Sequence, residues 1–298
     1  VTGERSASTL PLMHIRQATH DDIPAIISFT TNTFEWGDYV PDAIRDWIDD
    51  PNGMTMVALD GDEPIAVART VLLAPTEAWG HGVRVSRDHR GTGVAGLLVE
   101  RLLSWVRTTD AHIVRLMIED DNTSSIRHVE KVGFRRTVRM MRAVRSVGEA
   151  TPNPEGNGVR HAPSTLRAIP GRGQDAPLVM SAWTSSDVGR AMRGLIGIGW
   201  QFHTMRTSDV QESARLGGLW DIGGSWAMTS TNALAFRVAM LDVRPEDAYE
   251  SIRALIDIAN NQGAEQVSIW IPTLDWLVQA TRRAGCDVSP SSIWVYPL

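Results

Sequence analysis

Two hydrophobic rhythms alternate along the first half of the chain. His14–Gln17 reads as a short strand. Thr19 then caps a helix whose first turn holds Asp21, Asp22 and Pro24. After Pro41 the apolar residues Ile44, Trp47 and Ile48 recur at helical spacing. Met54–Asp60 and Pro64–Leu73 read as strands joined by a Gly61-Asp62 turn. Thr76–Val85 is a further strand, interrupted around Gly80-His81-Gly82. Gly93–Thr108 has the strongest amphipathic pattern, with Val94, Leu97, Leu98, Leu102, Trp105 and Val106 on one stripe. His112–Ile118 reads as a buried strand, Asn122–Lys131 as a helix ended by Gly133, and Arg135–Val144 as a closing strand.

The periodicity lapses between Ser146 and Pro177, where prolines and glycines cluster. The chain is therefore expected to divide into a domain over 1–146, a linker over 147–177 and a second domain over 178–298. Near its end the rhythm returns. Glu246–Asn260 reads as a helix, Gln266–Ile271 as a strand, Leu274–Ala284 as a helix ended by Gly285, and Ile293–Tyr296 as a strand. Ile118 to Gly133-Phe134 and Ile271 to Gly285-Cys286 have about the same length and order, a weak internal repeat. The expected fold class is α/β of the mixed (α+β) kind: a mixed sheet flanked by helices, with a second, degenerate copy.

Composition removes several chemistries. One Cys among 298 residues excludes an internal disulfide and a thiolate metal cluster. The single Lys, Lys131, precedes Val132, so there is no Walker A loop. The eight His are scattered without a metal-ligand pair, and no metal is expected. Residues 1–150 carry 17 basic and 21 acidic groups and the remainder 12 and 14, so neither half has the basic excess of a nucleic-acid binder. No apolar run of membrane-spanning length occurs, and Val1–Leu12 lacks the cationic start of a secretion signal, so a cytoplasmic protein is expected.

Gly82-Val83-Arg84-Val85-Ser86-Arg87-Asp88-His89-Arg90-Gly91-Thr92-Gly93-Val94-Ala95 carries the chemistry. A strand enters a Gly-rich turn, and the turn opens a long helix. Such a turn aims backbone N–H groups at an anion from the positive end of a helix dipole. Glycines at 91 and 93 permit close approach, and Arg90 adds charge. The spacing is not that of a dinucleotide-binding turn.

The segment resembles the GNAT superfamily of acetyl-CoA-dependent N-acetyltransferases. Arg90-Gly91-Thr92-Gly93-Val94-Ala95 fits that family's Gln/Arg-x-x-Gly-x-Gly/Ala signature. Asn122-Thr123-Ser124-Ser125, followed by Glu130-Lys131-Val132-Gly133-Phe134, fits its second landmark. The resemblance covers roughly 13–146. It implies that the amides of Gly91, Thr92, Gly93, Val94 and Ala95 hold the pyrophosphate of acetyl-CoA beside Arg90. The backbones of Val83 and Val85 would pair with the pantetheine arm, and Asn122 would touch the pantetheine or acetyl end. Gly37-Asp38-Tyr39-Val40-Pro41, Trp47 and Gly82–Gly96 are further similar to a histidine N-acetyltransferase-like group. That group acetylates the α-amino group of a free amino acid and has a second GNAT-like domain. The likeness places Trp36 and Tyr39 on the substrate side.

The chain departs from the family at Val129, where many members have the Tyr that protonates the leaving thiolate. His128 stands beside it. The general base is sought on the strand Thr76–Val85, whose titrating groups are Glu77 and His81. They share a face unless a bulge intervenes, and an ordinary imidazole suits the task. The basic run Arg135, Arg136, Arg139, Arg142 and Arg145 reads as a solvated edge strand. The expected function is direct acetyl transfer to a primary amine of a small molecule, with a homodimer left open. The alternative is a non-catalytic acyl-CoA-binding regulatory module.

Overall fold

The computed structural model describes residues 13–31, 33, 37–147, 164–232 and 234–298. The chain forms two compact units, and each draws on separate runs of sequence. Unit 1 takes the chain up to Leu116, Arg127–Arg135 and Val295–Leu298. Unit 2 takes Met117–Ile126 and Arg136–Trp294.

Unit 1 holds β1 (His14–Gln17), α1 (Ile23–Thr30), α2 (Val40–Asp49), β2 (Gly53–Asp60), β3 (Glu63–Ala74), β4 (Glu77–Val85) and α3 (Val94–Val106). It also holds most of β5 (Ile113–Glu119) and the end of α4 (Thr123–Val132). Its strands lie in the order β1-β2-β3-β4-β5, antiparallel up to β4, with β5 parallel to β4. The entry to α1 is fixed by the Asp22 carboxylate, which accepts from the Thr19 N–H at 2.8 Å and pairs with Arg16 at 2.7 Å.

Alternation along the strands divides the core between the two faces of the sheet. Val57, Leu59 and Val67 pack with Ile26, Ile44 and Trp47 of α1 and α2. Ala58, Ala66 and Ala68 pack with Val94, Leu98 and Leu102 of α3. Burying each such α3 side chain contributes roughly 1.5–3 kcal/mol, which is why the stripe read from sequence is a reliable helix. The small alanines let α3 approach the sheet closely.

Unit 2 holds β6 (Arg135–Ser146), β7 (Ala168–Pro170), α5 (Ala176–Ser185), α6 (Asp187–Ala191), β8 (Leu195–Ile198), β9 (Gln201–Thr204), α7 (Thr207–Arg215), β10 (Leu219–Ile222), β11 (Ser225–Thr231), β12 (Ala235–Asp242), α8 (Ala248–Asn261), β13 (Gln266–Pro272), α9 (Asp275–Arg283) and most of β14 (Asp287–Pro297). Its main sheet runs β14-β6-β13-β12-β11-β10-β7, and β8 and β9 form a separate hairpin. Trp183, Phe202, Phe236 and Trp294 are among its largest fully buried side chains.

The internal repeat is physical. After α4, Gly133 (φ +108°) and Phe134 donate back to Val129. After α9, Gly285 (φ +83°) closes the turn and Cys286 donates back to Thr281. Both helices thus end in the same left-handed cap. The openings repeat as well: Asp175 accepts from the Arg172 N–H at 2.7 Å, as Asp22 does from Thr19. One strand differs from expectation. β6 is no edge: it lies between β14 and β13, pairing antiparallel with β13 from Ser146↔Gln266 to Met140↔Pro272.

Candidate functional site

β4 is paired with β5 over only three rungs, Glu77↔Ile113 to Trp79↔Arg115. From Gly80 onward its β5-side edge has no ladder partner among the described residues. On its other side the register to β3 slips: Val67 faces Arg84, yet Arg69 faces His81. One residue of β4 is therefore extra within Gly82–Val83, and Gly82 takes φ +70°. A Cβ at Gly82 would collide with the Trp47 ring, so glycine is required twice over. The bulge reverses the alternation. Val83 and Val85 turn toward α3, while Arg84 joins His81 on the α2 side.

Beyond Val85 the chain makes a short helical turn, Arg87–His89, and then the Gly-rich turn. Gly91 (φ +80°) and Gly93 (φ +88°) are left-handed, and a Cβ at either would meet nothing within 4 Å. The surface above them is open. Gly93 stands at the N-cap of α3 without a capping side chain, so first-turn N–H groups remain to be satisfied from outside the helix. Arg87 and Arg90 are exposed beside them. The turn is braced from within: the Thr92 hydroxyl donates to His89 O at 2.7 Å, and His89 bonds Ser86 at 2.7 Å. These residues fit a diphosphate. The free β4 edge suits an amide-bearing arm.

On the opposite face a polar cluster surrounds the bulge. His81 packs edge-on against Trp47, with ring centroids 4.8 Å apart. Its Nε2 is buried and has no hydrogen-bond partner. Burial, then the charges of Arg69 and Arg84, push the imidazole down to about 3. Arg69 is itself buried and held by Asp50, the Trp47 carbonyl and Thr55. Arg84 donates to both oxygens of the fully buried Asp38, at 2.5 and 3.1 Å, and lies 5.4 Å from the Tyr39 ring centre. The Tyr39 hydroxyl end lies near the Gly82 backbone and Arg84, both of which favour its anion. Tyr39 is half exposed, and desolvation of its hydroxyl end holds the phenol above its ordinary range, protonated at neutral pH.

His81 and Tyr39 are thus brought together at the bulge, although they are far apart in sequence. Other expectations fare differently. His81 does not have the near-neutral imidazole expected of a base, because it is buried between cations. Glu77 stands at the far end of β4, roughly 13 Å from His81 along the strand, and is paired with Arg115 at 2.6 Å. Asn122 belongs to unit 2, where its Oδ1 accepts from the Ser125 N–H at 3.1 Å and starts α4. Val129 is buried, and His128 packs toward Gly96 of α3 with its Nε2 unpartnered. Trp36 lies outside the described residues. Sequence reading missed Asp38, Arg69 and Arg84. An Arg alternating with valines on a strand was the available signal for Arg84. Among the described residues no group of three or more His, Cys, Asp or Glu is placed to hold a metal. No helix among them is long and apolar enough to cross a membrane.

An open strand edge, a bulge and a glycine-lined helix start fit a long anionic donor beside a polar cluster. Residues 21–134 match the Acetyltransferase (GNAT) family. That stretch, most of it in unit 1, is thus similar to a GNAT acetyltransferase domain, a family for which acetyl-CoA is the implied donor. No curated protein matches the chain in sequence. In fold it is similar to a GCN5-related N-acetyltransferase from Sphaerobacter thermophilus, at 17% identity and TM-score 0.69 over 97% of each chain. It is also similar to a tandem GNAT protein from the clavulanic acid biosynthesis pathway, at 13% identity and TM-score 0.57, covering 96% of this chain and 98% of that one. A further likeness is to a GCN5-related N-acetyltransferase from Kribbella flavida, at 14% identity and TM-score 0.52, over 96% of this chain and 72% of that one. These likenesses extend the GNAT fold to a second, GNAT-like domain.

Proposed function

We propose that the chain transfers an acetyl group directly to the primary amine of a small molecule, a free amino acid being the first class to try. The observation that carries this reading is the bulge in β4, with the unpartnered Nε2 of His81 beside it and Tyr39 packed on the same Trp47 ring. The donor supplies an activated thioester. The turn from Gly91 to Ala95, with Arg90, holds its diphosphate, and the backbone of Val83 and Val85 holds its arm. A backbone N–H at the bulge steadies the oxyanion that develops on the thioester carbonyl.

The neutral imidazole of His81 accepts an N–H of the incoming amine and aims its lone pair. With a pKa near 3 it does not store the proton, so the amine reacts as the free base and water carries the proton away. Tyr39, protonated at neutral pH, donates a hydrogen bond on the acceptor side. An acetyl-enzyme is disfavoured, since burial pushes the Cys286 thiol, in unit 2, up to about 11.

The test is thiol release from acetyl-CoA with a panel of free amino acids, other small amines and peptides. Release with free amino acids is expected, at a rate that rises with pH as the amine deprotonates and shows no inflection near 6.5. Tight CoA binding with no release across the panel would overturn the reading in favour of an acyl-CoA-binding regulatory module, the alternative that Val129 keeps open.

A further inference from the structure

Three neighbouring strands of unit 2 place cationic and polar side chains on one face. Arg142 of β6 stands opposite Trp270 of β13, and Arg237 of β12 stands opposite Ser268. Gln266, Ser268 and Trp270 alternate onto that same face. Two strand spacings across and two residues along separate the arginine backbones, roughly 12 Å, a span that two guanidinium side chains can close. Together with Trp200 and Gly199 these residues line a cavity of about 40 Å³. That is space for roughly three waters or one small group, and far too little for a cofactor.

The charge balance of the cavity is incomplete. Neither Arg142 nor Arg237 makes a hydrogen bond or ion pair among the described residues. The other internal arginines of β6 have partners: Arg139 meets Asp120 at 3.1 Å, and Arg145 donates to the Ala284 carbonyl. Arg142 is stacked 4.5 Å from the Trp200 ring centre, and the Trp270 indole N–H donates to Gly199 O at 3.1 Å, which fixes the wall. Burial and the charge of Arg237 both act against the Arg142 cation, and Glu119 alone supports it. Two cations with one nearby carboxylate, each with a planar fork of donors, are a receptor for an oxyanion.

We propose that this cavity binds a small oxyanion, a carboxylate or phosphate group, between the guanidinium groups of Arg142 and Arg237, with the Ser268 hydroxyl and Gln266 amide completing its shell and Trp200 as an aromatic wall. The site stands apart from acetyl transfer, and its test does not use that activity. Calorimetric titration of the full chain with inorganic phosphate, and separately with acetate, at constant ionic strength set by chloride, reads it directly. With the turn at Gly91–Gly93 blocked by Gly93→Glu in every arm, saturable one-site binding of at least one anion is expected. Binding of phosphate alone assigns a phosphate group, of acetate alone a carboxylate, and of both a general oxyanion site. Arg237→Gln should weaken binding at least tenfold, with Arg237→Lys intermediate. Should Arg142→Gln fail to fold for want of its Trp200 contact, the Arg237 pair still decides. No saturable heat with either anion, or unchanged affinity in a folded Arg237→Gln, would overturn the proposal.

Discussion

The turn after β4 in unit 1 and the turn after β12 in unit 2 occupy matching places in two copies of one fold. Each follows a strand that pairs in parallel with its neighbour for a few rungs and then loses it, after Trp79↔Arg115 in one and Val238↔Ile269 in the other. Each strand carries a register slip toward its antiparallel partner. The turns themselves differ in chemistry. The first has two left-handed glycines, open space above them and exposed arginines. The second runs Val243-Arg244-Pro245-Glu246-Asp247 with no glycine, and its Arg244 is spent on Asp247 at 2.8 Å. Asp247 stands at the N-cap position of α8 and Glu250 lies in its first turn, so the helix dipole already has negative charge beside it. A shared backbone therefore preserves the place for an anion, and a handful of residues decide whether an anion is wanted there.

The largest expected effect comes from making the first turn resemble the second. Gly93→Glu puts a carboxylate where the proposed diphosphate site lies and a side chain at φ +88°. CoA affinity measured by calorimetry should fall by roughly 100-fold or more, with the melting temperature lowered by a few degrees through left-handed strain alone, since the position is open. Unaltered affinity would remove the turn as the cofactor site. Gly82→Ala attacks the bulge instead. Left-handed strain and overlap with Trp47 should cost about 2–4 kcal/mol, lowering Tm by on the order of 10 °C. A variant that melts like the parent would mean that the bulge needs no glycine.

His81 supplies a pH signature that unit 2 should lack. Its folded pKa lies near 3 and its ordinary value is 6.5. Between those values the unfolded chain takes up a proton that the folded chain refuses. Stability should therefore fall as pH drops through that window and be indifferent to His81 above about pH 7. His81→Gln should flatten this part of a stability-against-pH curve, and an unchanged slope would place the acid sensitivity elsewhere. The smallest effect is expected in the second turn: Glu246→Gln and Asp247→Asn should leave CoA affinity within about twofold. A larger change would show that unit 2 takes part in holding the donor.

Much of unit 1 was readable before any coordinates. The apolar stripe of α3 has the period of a helix, and Gly91 and Gly93 mark a turn that few other residues tolerate. Val83 and Val85 were legible as strand residues, but not the bulge that turns them toward α3, since a slip in pairing leaves no trace in local periodicity. Asp38 and Tyr39 reach Arg84 and Gly82 only through the packing of α2 on the sheet. The lowered pKa of His81 has the same origin: the sequence shows an imidazole between glycines, whereas Arg69 and Trp47 from other elements, and Arg84 turned to its face by the bulge, make its surroundings. Arg142 read as one member of a solvated run because nothing nearby in sequence announces β13 as a neighbour of β6.

One assignment bears on how the molecule is made. Residues 295–298 belong to unit 1, where Tyr296 packs 5.4 Å from Phe134 and accepts a hydrogen bond from Arg107, 189 positions earlier. The Leu298 N–H donates to His112 O at 3.0 Å. Unit 1 is thus closed by contacts of very long sequence separation, the kind whose loop-closure entropy slows folding.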